Sequence, residues 1–218
     1  MKNLITIILG IFILFGCAST QGQNKNLEEV IQEIVKTYSD KDTNKLNQYI
    51  HKSKGLFVMT TIGTNTIWQN VEEICLDKVC LKEFPDRNLG SPYQEFLESY
   101  SSGKLNLNEI EFTDNPYFEC EKIEKQGVFV ATKNNYHALS DAIQIYRENF
   151  LNINGPTEGI DKIYKDLDEL KIEVQNIEKK SHRVVVNSEN GTFIFYITNL
   201  DGKWYLSIID FASIDCSV

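Results

Sequence analysis

The residues with the widest chemical repertoire in this chain are five cysteines, at positions 17, 75, 80, 120 and 216, and three histidines, His51, His137 and His182. Thiolates ligate zinc, exchange disulfides or attack electrophiles, and each use demands its own spacing. Cys75 and Cys80 are separated by four residues, which does not match the Cys-x-x-Cys of redox proteins. They could form half a zinc site, but no second Cys or His pair of suitable spacing completes it. No His-x-x-x-His or His-Glu-x-x-His puts two histidines on one helix turn, so a metal hydrolase has no local signature. His137 lies near Ser140 and Asp141, but all three belong to the polar side of an expected helix, and triads are assembled in space rather than along the chain. Gly-x-Ser-x-Gly elbows, phosphate-cradling glycine loops and dinucleotide fingerprints are absent. Asp40, Asp42 and Asn44 open like a calcium loop, yet Lys45 replaces the necessary glycine and His51 the bidentate glutamate. Helix capping accounts for the same residues. The sequence therefore assigns no catalytic residue, no metal and no cofactor.

The N-terminus is more informative. Met1-Lys2-Asn3 precedes an apolar run from Leu4 to Phe15, then Gly16-Cys17-Ala18. A basic tip, a short apolar stretch and a small residue before the cut match a secretory signal peptide. The run is shorter than the roughly 20 apolar residues a spanning helix needs. Leu14-Phe15-Gly16-Cys17 resembles the lipobox of bacterial lipoproteins, with Phe15 bulkier than the family's usual small residue. The resemblance implies a diacylglyceryl group on the Cys17 thiol, cleavage after Gly16 and acylation of the new amine. Residues 1–16 are then the signal peptide, 17–26 a lipidated flexible tether and 27–218 a single globular domain. Ala18 to Asn26 is polar and without apolar period, and nine extended residues reach about 30 Å. The resemblance places the protein in the bacterial cell envelope, attached to the membrane through lipid on Cys17. The resemblance further implies, from the absence of Asp after Cys17, an outer membrane where the host has one, with the domain facing the periplasm.

Export also changes the reading of the other thiols. Cys75, Cys80, Cys120 and Cys216 are an even set in an oxidising compartment, and four cysteines permit three connectivities. Cys75 with Cys80 and Cys120 with Cys216 is the preferred pairing, because the first pair is local. On a straight helix, residues five apart are too distant for a disulfide, so any helix must break between Leu76 and Val79. With 22 Lys and Arg against 31 Asp and Glu, a net charge of -9 argues against nucleic acid as a partner. The partners left are an envelope protein or a small ligand.

Apolar spacing sets out the elements that must position any site. Leu27, Val30, Ile31, Ile34, Val35 and Tyr38 form one stripe of a helix over 27–39, and Asp42 or Thr43 can cap a second short helix. Residues 56–61 read as a strand, and Gly63-Thr64-Asn65 as the turn before Thr66-Ile67-Trp68. Residues 70–85 fit a helix, or a short helix running into a strand. Ser91-Pro92-Tyr93-Gln94 reads as an N-cap, a first-turn proline and a capping-box glutamine, with Gly103 as the stop. Strands are expected over 107–113, 117–124 and 127–133, then a helix over 135–150 ended by Gly155-Pro156, and helix again around Ile160 to Leu167. Ile172–Glu178, His182–Ser188, Thr192–Asn199 and Lys203–Asp210 read as four strands, with Asn190-Gly191 and Asp201-Gly202 as hairpin turns. The strand at 192–199 is apolar on both sides, so it is central and covered twice, or curved around a cavity.

The resulting fold class is α+β: N-terminal helices packed on a curved, mainly antiparallel sheet with a C-terminal four-stranded meander. A helical opening and a sheet ending in Asp201-Gly202-Lys203-Trp204-Tyr205-Leu206 are similar to the nuclear-transport-factor-2-like superfamily. That fold hosts enzymes, ligand binders and dimerisation modules alike. In a concave sheet, Trp204 and Tyr196 would line a ligand cavity. The functional expectation is a membrane-tethered envelope protein with a non-catalytic ligand- or partner-binding domain. The alternatives are an envelope hydrolase with a site assembled from distant residues, or a structural assembly lipoprotein.

Overall fold

The computed structural model describes residues 25–100, 107, 109–119, 123–133 and 135–215. Helix α1 (Leu27–Ser39) forms where its apolar stripe predicts, opened by a capping box in which Asn26 accepts from the Glu29 amide at 2.9 Å and Glu29 returns the bond at 3.1 Å. Asp42 caps α2 (Thr43–Asn47) by accepting from the Lys45 amide, so this acid has a structural use. Strands β1 (Leu56–Ile62) and β2 (Asn65–Val71) make a hairpin through Gly63, whose φ of +60° suits glycine. Then come α3 (Lys78–Glu83), a 3-10 turn at Pro85–Arg87, α4 (Tyr93–Ser99), β3 (Ile110–Thr113) and β4 (Gly127–Ala131). The chain continues through α5 (Ala138–Asn154), α6 (Ile160–Glu178), β5 (Ser181–Ser188), β6 (Gly191–Leu200) and β7 (Lys203–Asp210).

Among the described residues, seven strands form one sheet in the order β2-β1-β7-β6-β5-β4-β3. Its pairings are antiparallel except β1 with β7 and β3 with β4, which are parallel. Helices α1, α2 and α4 cover one face around Ile31, Ile34, Leu46, Leu97, Phe193 and Phe195. The α5–α6 pair covers the other face through Leu139, Ile143, Val174 and Ile177, over Phe129, Ile194 and Ile208. Strand β6 lies between these layers, which is why both of its faces carry bulk. Apolar residues alternating to two buried faces require a helical layer on each side.

Several expectations are corrected. Ile172–Glu178 is not a strand but the last two turns of α6, so the C-terminal meander has three strands, β5 to β7, and the fourth neighbour is β4. Ile160, Ile163, Leu167, Leu170, Val174 and Ile177 continue one helical stripe through this stretch. The local alternation came from Ile172, which points outward and is 60% exposed. Residues 117–119 and 123–124 are not in a strand; β3 and β4 pair directly, and the Tyr117 carbonyl accepts from Asn187 Nδ2 at 2.9 Å. Ser91 does not cap α4: Pro92 holds that position, Ser91 Oγ bonds Glu95, and Gln94 reaches the Cys75 carbonyl at 3.0 Å. Gly103 falls outside the described residues.

Cys75 and Cys80 are bonded in the structure, with Cα atoms 5.5 Å apart. The chain turns at Asp77, whose side chain accepts from the Val79 and Cys80 amides and starts α3 beyond Cys75. Cys120 and Cys216 lie outside the described residues, as does Cys17. Closing so short a loop constrains the unfolded chain modestly. Reduction of the Cys75–Cys80 bridge is expected to cost about 2 kcal/mol. Urea melts of the Cys75→Ala, Cys80→Ala double variant test this, with an unchanged midpoint counting against it.

Candidate functional site

Two regions gather polar chemistry. The first is a buried cluster between the sheet and the α5–α6 layer. Glu178, 1% exposed, ends α6 and turns its carboxylate onto the start of α5, where Oε1 accepts from the Leu139 amide at 3.0 Å and the Ser140 amide at 3.2 Å. These are early-turn amides with no intrahelical partner, and His137 at the N-cap supplies no side-chain bond. Burial pushes the Glu178 carboxyl up, against the lowering effect of those bonds and of His137, whose Nδ1 is 3.8 Å from Oε2. Asp210, fully buried, closes the C-terminal turn by accepting from the Ser213 amide at 2.9 Å and from Ser213 Oγ at 2.7 Å. Arg183 stands opposite Tyr196 in the β5–β6 register, its guanidinium 4.9 Å from the Tyr136 ring centre. Burial drives the Tyr196 phenol well above its ordinary value, and Asp210 adds to the shift.

The cluster was not visible in the sequence. Glu178 read as the end of a strand, and Arg183 and Asp210 as ordinary polar positions in strands. Its groups are buried, and their bonds are structural: Glu178 ties the end of α6 to the start of α5, and Asp210 holds the turn after β7.

Tyr196 and Trp204, expected to line one cavity, are separated. Tyr196 packs among Ile194, Ile208 and Met59 beneath α5 and α6, whereas Trp204 packs against the α1 side, 5.7 Å from the His182 ring. His182 bonds the Ala131 carbonyl at 2.9 Å, and His51 lies edge-on to Tyr205 at 4.8 Å. The three histidines are thus apart. Among the described residues, no group of three or more His, Cys, Asp or Glu could hold a metal ion.

The second region is the outer edge of β2. Sheet edges expose unpaired amides and carbonyls, and proteins blunt them with Lys, Pro, bulges or brevity. At the opposite edge, β3 is only four residues long and carries Glu111, paired to Lys125 at 2.6 Å. By contrast β2 has seven residues, Asn-Thr-Ile-Trp-Gln-Asn-Val, with no charge and no proline. Its register with β1 runs without a bulge, and among the described residues β1 is its only strand neighbour.

A concavity adjoins each end of this edge, on opposite faces. At the start, Thr66 meets Ala142, Ile145, Tyr146 and Ile153 of α5 around a small space of about 60 Å³, and Trp68 stacks edge-on with Tyr146 at 5.5 Å. At the end, Gln69 and Val71 border about 260 Å³ shared with Glu72, Glu73, Asp86 and Arg87. Arg87 pairs with Glu73 through Nη2 and lies 4.0 Å over the Phe84 ring, leaving Nη1 buried without a partner. A larger space of about 440 Å³ between α6 and Leu200 is bridged at its mouth by the Lys54–Glu173 pair. No local sequence signal marks this edge, because only the strand order reveals which strand lies outermost. No family model, no curated protein and no solved structure matches this chain.

Proposed function

We propose that the chain is a lipid-anchored protein of the bacterial envelope, held through Cys17, whose domain binds an envelope protein partner along the outer edge of β2. The observation that carries the partner reading is the unguarded edge itself, beside a sheet whose other edge is guarded. An open strand offers a row of backbone donors and acceptors, and strand addition is a common way to use it. Support for the anchor is the apolar run ending in Gly16-Cys17. Among the described residues, no helix is long and apolar enough to cross a membrane. A hydrolase built on Glu178, Asp210 and Tyr196 would need groups that meet solvent, and these are 1%, 0% and 2% exposed.

Two measurements test the proposal. Radioactive palmitate is expected to label the wild type and not Cys17→Ser; equal labelling of both removes the anchor. A photo-crosslinking residue at Gln69 is expected to trap a partner in cells, while one at Asp166 on α6 does not. Equal trapping at both sites, or at neither, removes the partner surface.

A further inference from the structure

We infer that the partner offers β2 an extended segment of alternating basic and apolar residues. The inference rests on the partner-binding reading above and gives it a chemistry.

A strand added beside β2 would alternate its side chains in step with those of β2. Thr66 and Trp68 face the α5 side, where Ile145 is 58% exposed and Ile153 and Tyr146 complete an apolar strip. Every second side chain of the incoming strand would meet that strip. Ile67 and Val71 pack towards the opposite layer, and Gln69 and Val71 border the concavity at Arg87. The remaining side chains of the incoming strand would point there. Three exposed carboxylates, Glu72, Glu73 and Asp86, surround the single cation Arg87, so the mouth is net negative. Lys or Arg on the incoming strand suits that mouth, and carboxylates do not.

Arg87 does little to offset this charge for a partner, because its Nη2 is already paired with Glu73 and its guanidinium lies over the Phe84 ring. A second copy of this chain fits less well, because β2 carries no cation to offer and the whole chain is at -9.

The test uses the exported domain and a fluorescein-labelled peptide of four Lys-Val repeats, read by anisotropy. Binding is expected to weaken as salt rises. The same peptide N-methylated at every residue loses the backbone donors of both edges but keeps its charge, and it is expected not to bind. A Glu-Val peptide is also expected not to bind. The double variant Glu72→Lys, Asp86→Lys changes only exposed side chains and should weaken the Lys-Val peptide about tenfold or more, its urea midpoint staying unchanged. Equal binding of the N-methylated peptide means adhesion by charge alone and overturns the inference. So does equal binding of the Glu-Val peptide, or no binding by any peptide. Self-association of the domain, abolished by Ile67→Lys with no peptide bound, assigns the edge to a second copy and also overturns it. If the peptides fail while Gln69 still crosslinks a partner in cells, only the basic chemistry falls and the partner surface stands.

Discussion

Glu178→Ala is expected to destabilise the domain by about 3 kcal/mol, while Glu178→Gln costs much less. Alanine strips the acceptor from two buried amides at the start of α5, and each unsatisfied donor costs about 1–3 kcal/mol. Glutamine keeps an acceptor oxygen in the same place and removes only the charge. Because burial raises the carboxyl of Glu178, the folded state holds its proton more tightly than the unfolded chain does. That contribution is fully present below the unfolded value near 4.5 and is lost as pH rises through the raised folded value. The wild type should therefore lose ground to Glu178→Gln between pH 4 and pH 7, read as urea midpoints of both proteins at the two pH values. A gap that does not move with pH would show that the buried charge is fully compensated. The consequence reaches the proposed surface, because α5 carries Ile145, Tyr146 and Ile153 beside β2.

The same residue illustrates what was legible. Helix α1 could be read to the residue, because its stripe is long, its cap is local and nothing distant competes. The hairpins at Gly63 and Asp201-Gly202 were legible for the same reason, a turn being a property of a few neighbouring residues, and the β5–β6 hairpin was legible one residue out: its turn is Glu189-Asn190, with Gly191 already paired to Ser188. Glu178 was misplaced because a period of two and a period of 3.6 agree over four or five residues, and Ile172 happened to be apolar on the exposed side of its helix. Strand β7 shows a subtler limit. Simple alternation would put Ile208 on the same face as Leu206, yet the register shifts there: Leu206 pairs with Ile197 and Ile208 with Tyr196, leaving Ser207 as the extra residue. Ile209 thereby joins Leu206 in one layer while Ile208 enters the other. Nothing local announces such a bulge; Ser207 is held by Thr198 and by the Tyr196 carbonyl across the strand pair. The candidate surface was hidden for a related reason. That β1 lies parallel to β7, and so leaves β2 outermost, is decided by packing between residues about 150 apart in sequence. Arg87 and its carboxylates likewise look like ordinary surface charges until the fold brings them to the end of β2.

Phe193→Ala is expected to be among the most damaging single substitutions in the core, costing about 4 kcal/mol. Phe193 is fully buried in β6 and stacks on Tyr38 of α1, ring centres 4.2 Å apart at 16°. It also meets Tyr100 at 5.0 Å and Phe195 at 5.1 Å, so one ring joins the first helix, the segment after α4 and the middle of the sheet. Deleting it removes buried apolar area and leaves a cavity that three rigid rings cannot fill by small shifts. The neighbours are themselves tied down: Tyr38 donates to the Leu97 carbonyl at 3.1 Å, and Lys41 donates to the Leu97 and Tyr100 carbonyls at 2.9 and 2.8 Å. Relaxation into the cavity would break those bonds, so the cavity should persist. Against a typical domain stability of about 5–15 kcal/mol, such a loss brings the fold close to its limit. Phe193→Leu retains most of the volume and should cost about 1–1.5 kcal/mol, while Tyr38→Phe, which keeps the stack and loses one buried bond, should cost about 1 kcal/mol. Urea melts of the three variants test the ordering. If Phe193→Ala costs no more than Tyr38→Phe, the stack does not join α1 to the sheet, and the hydrogen bonds from Tyr38 and Lys41 must hold that layer instead.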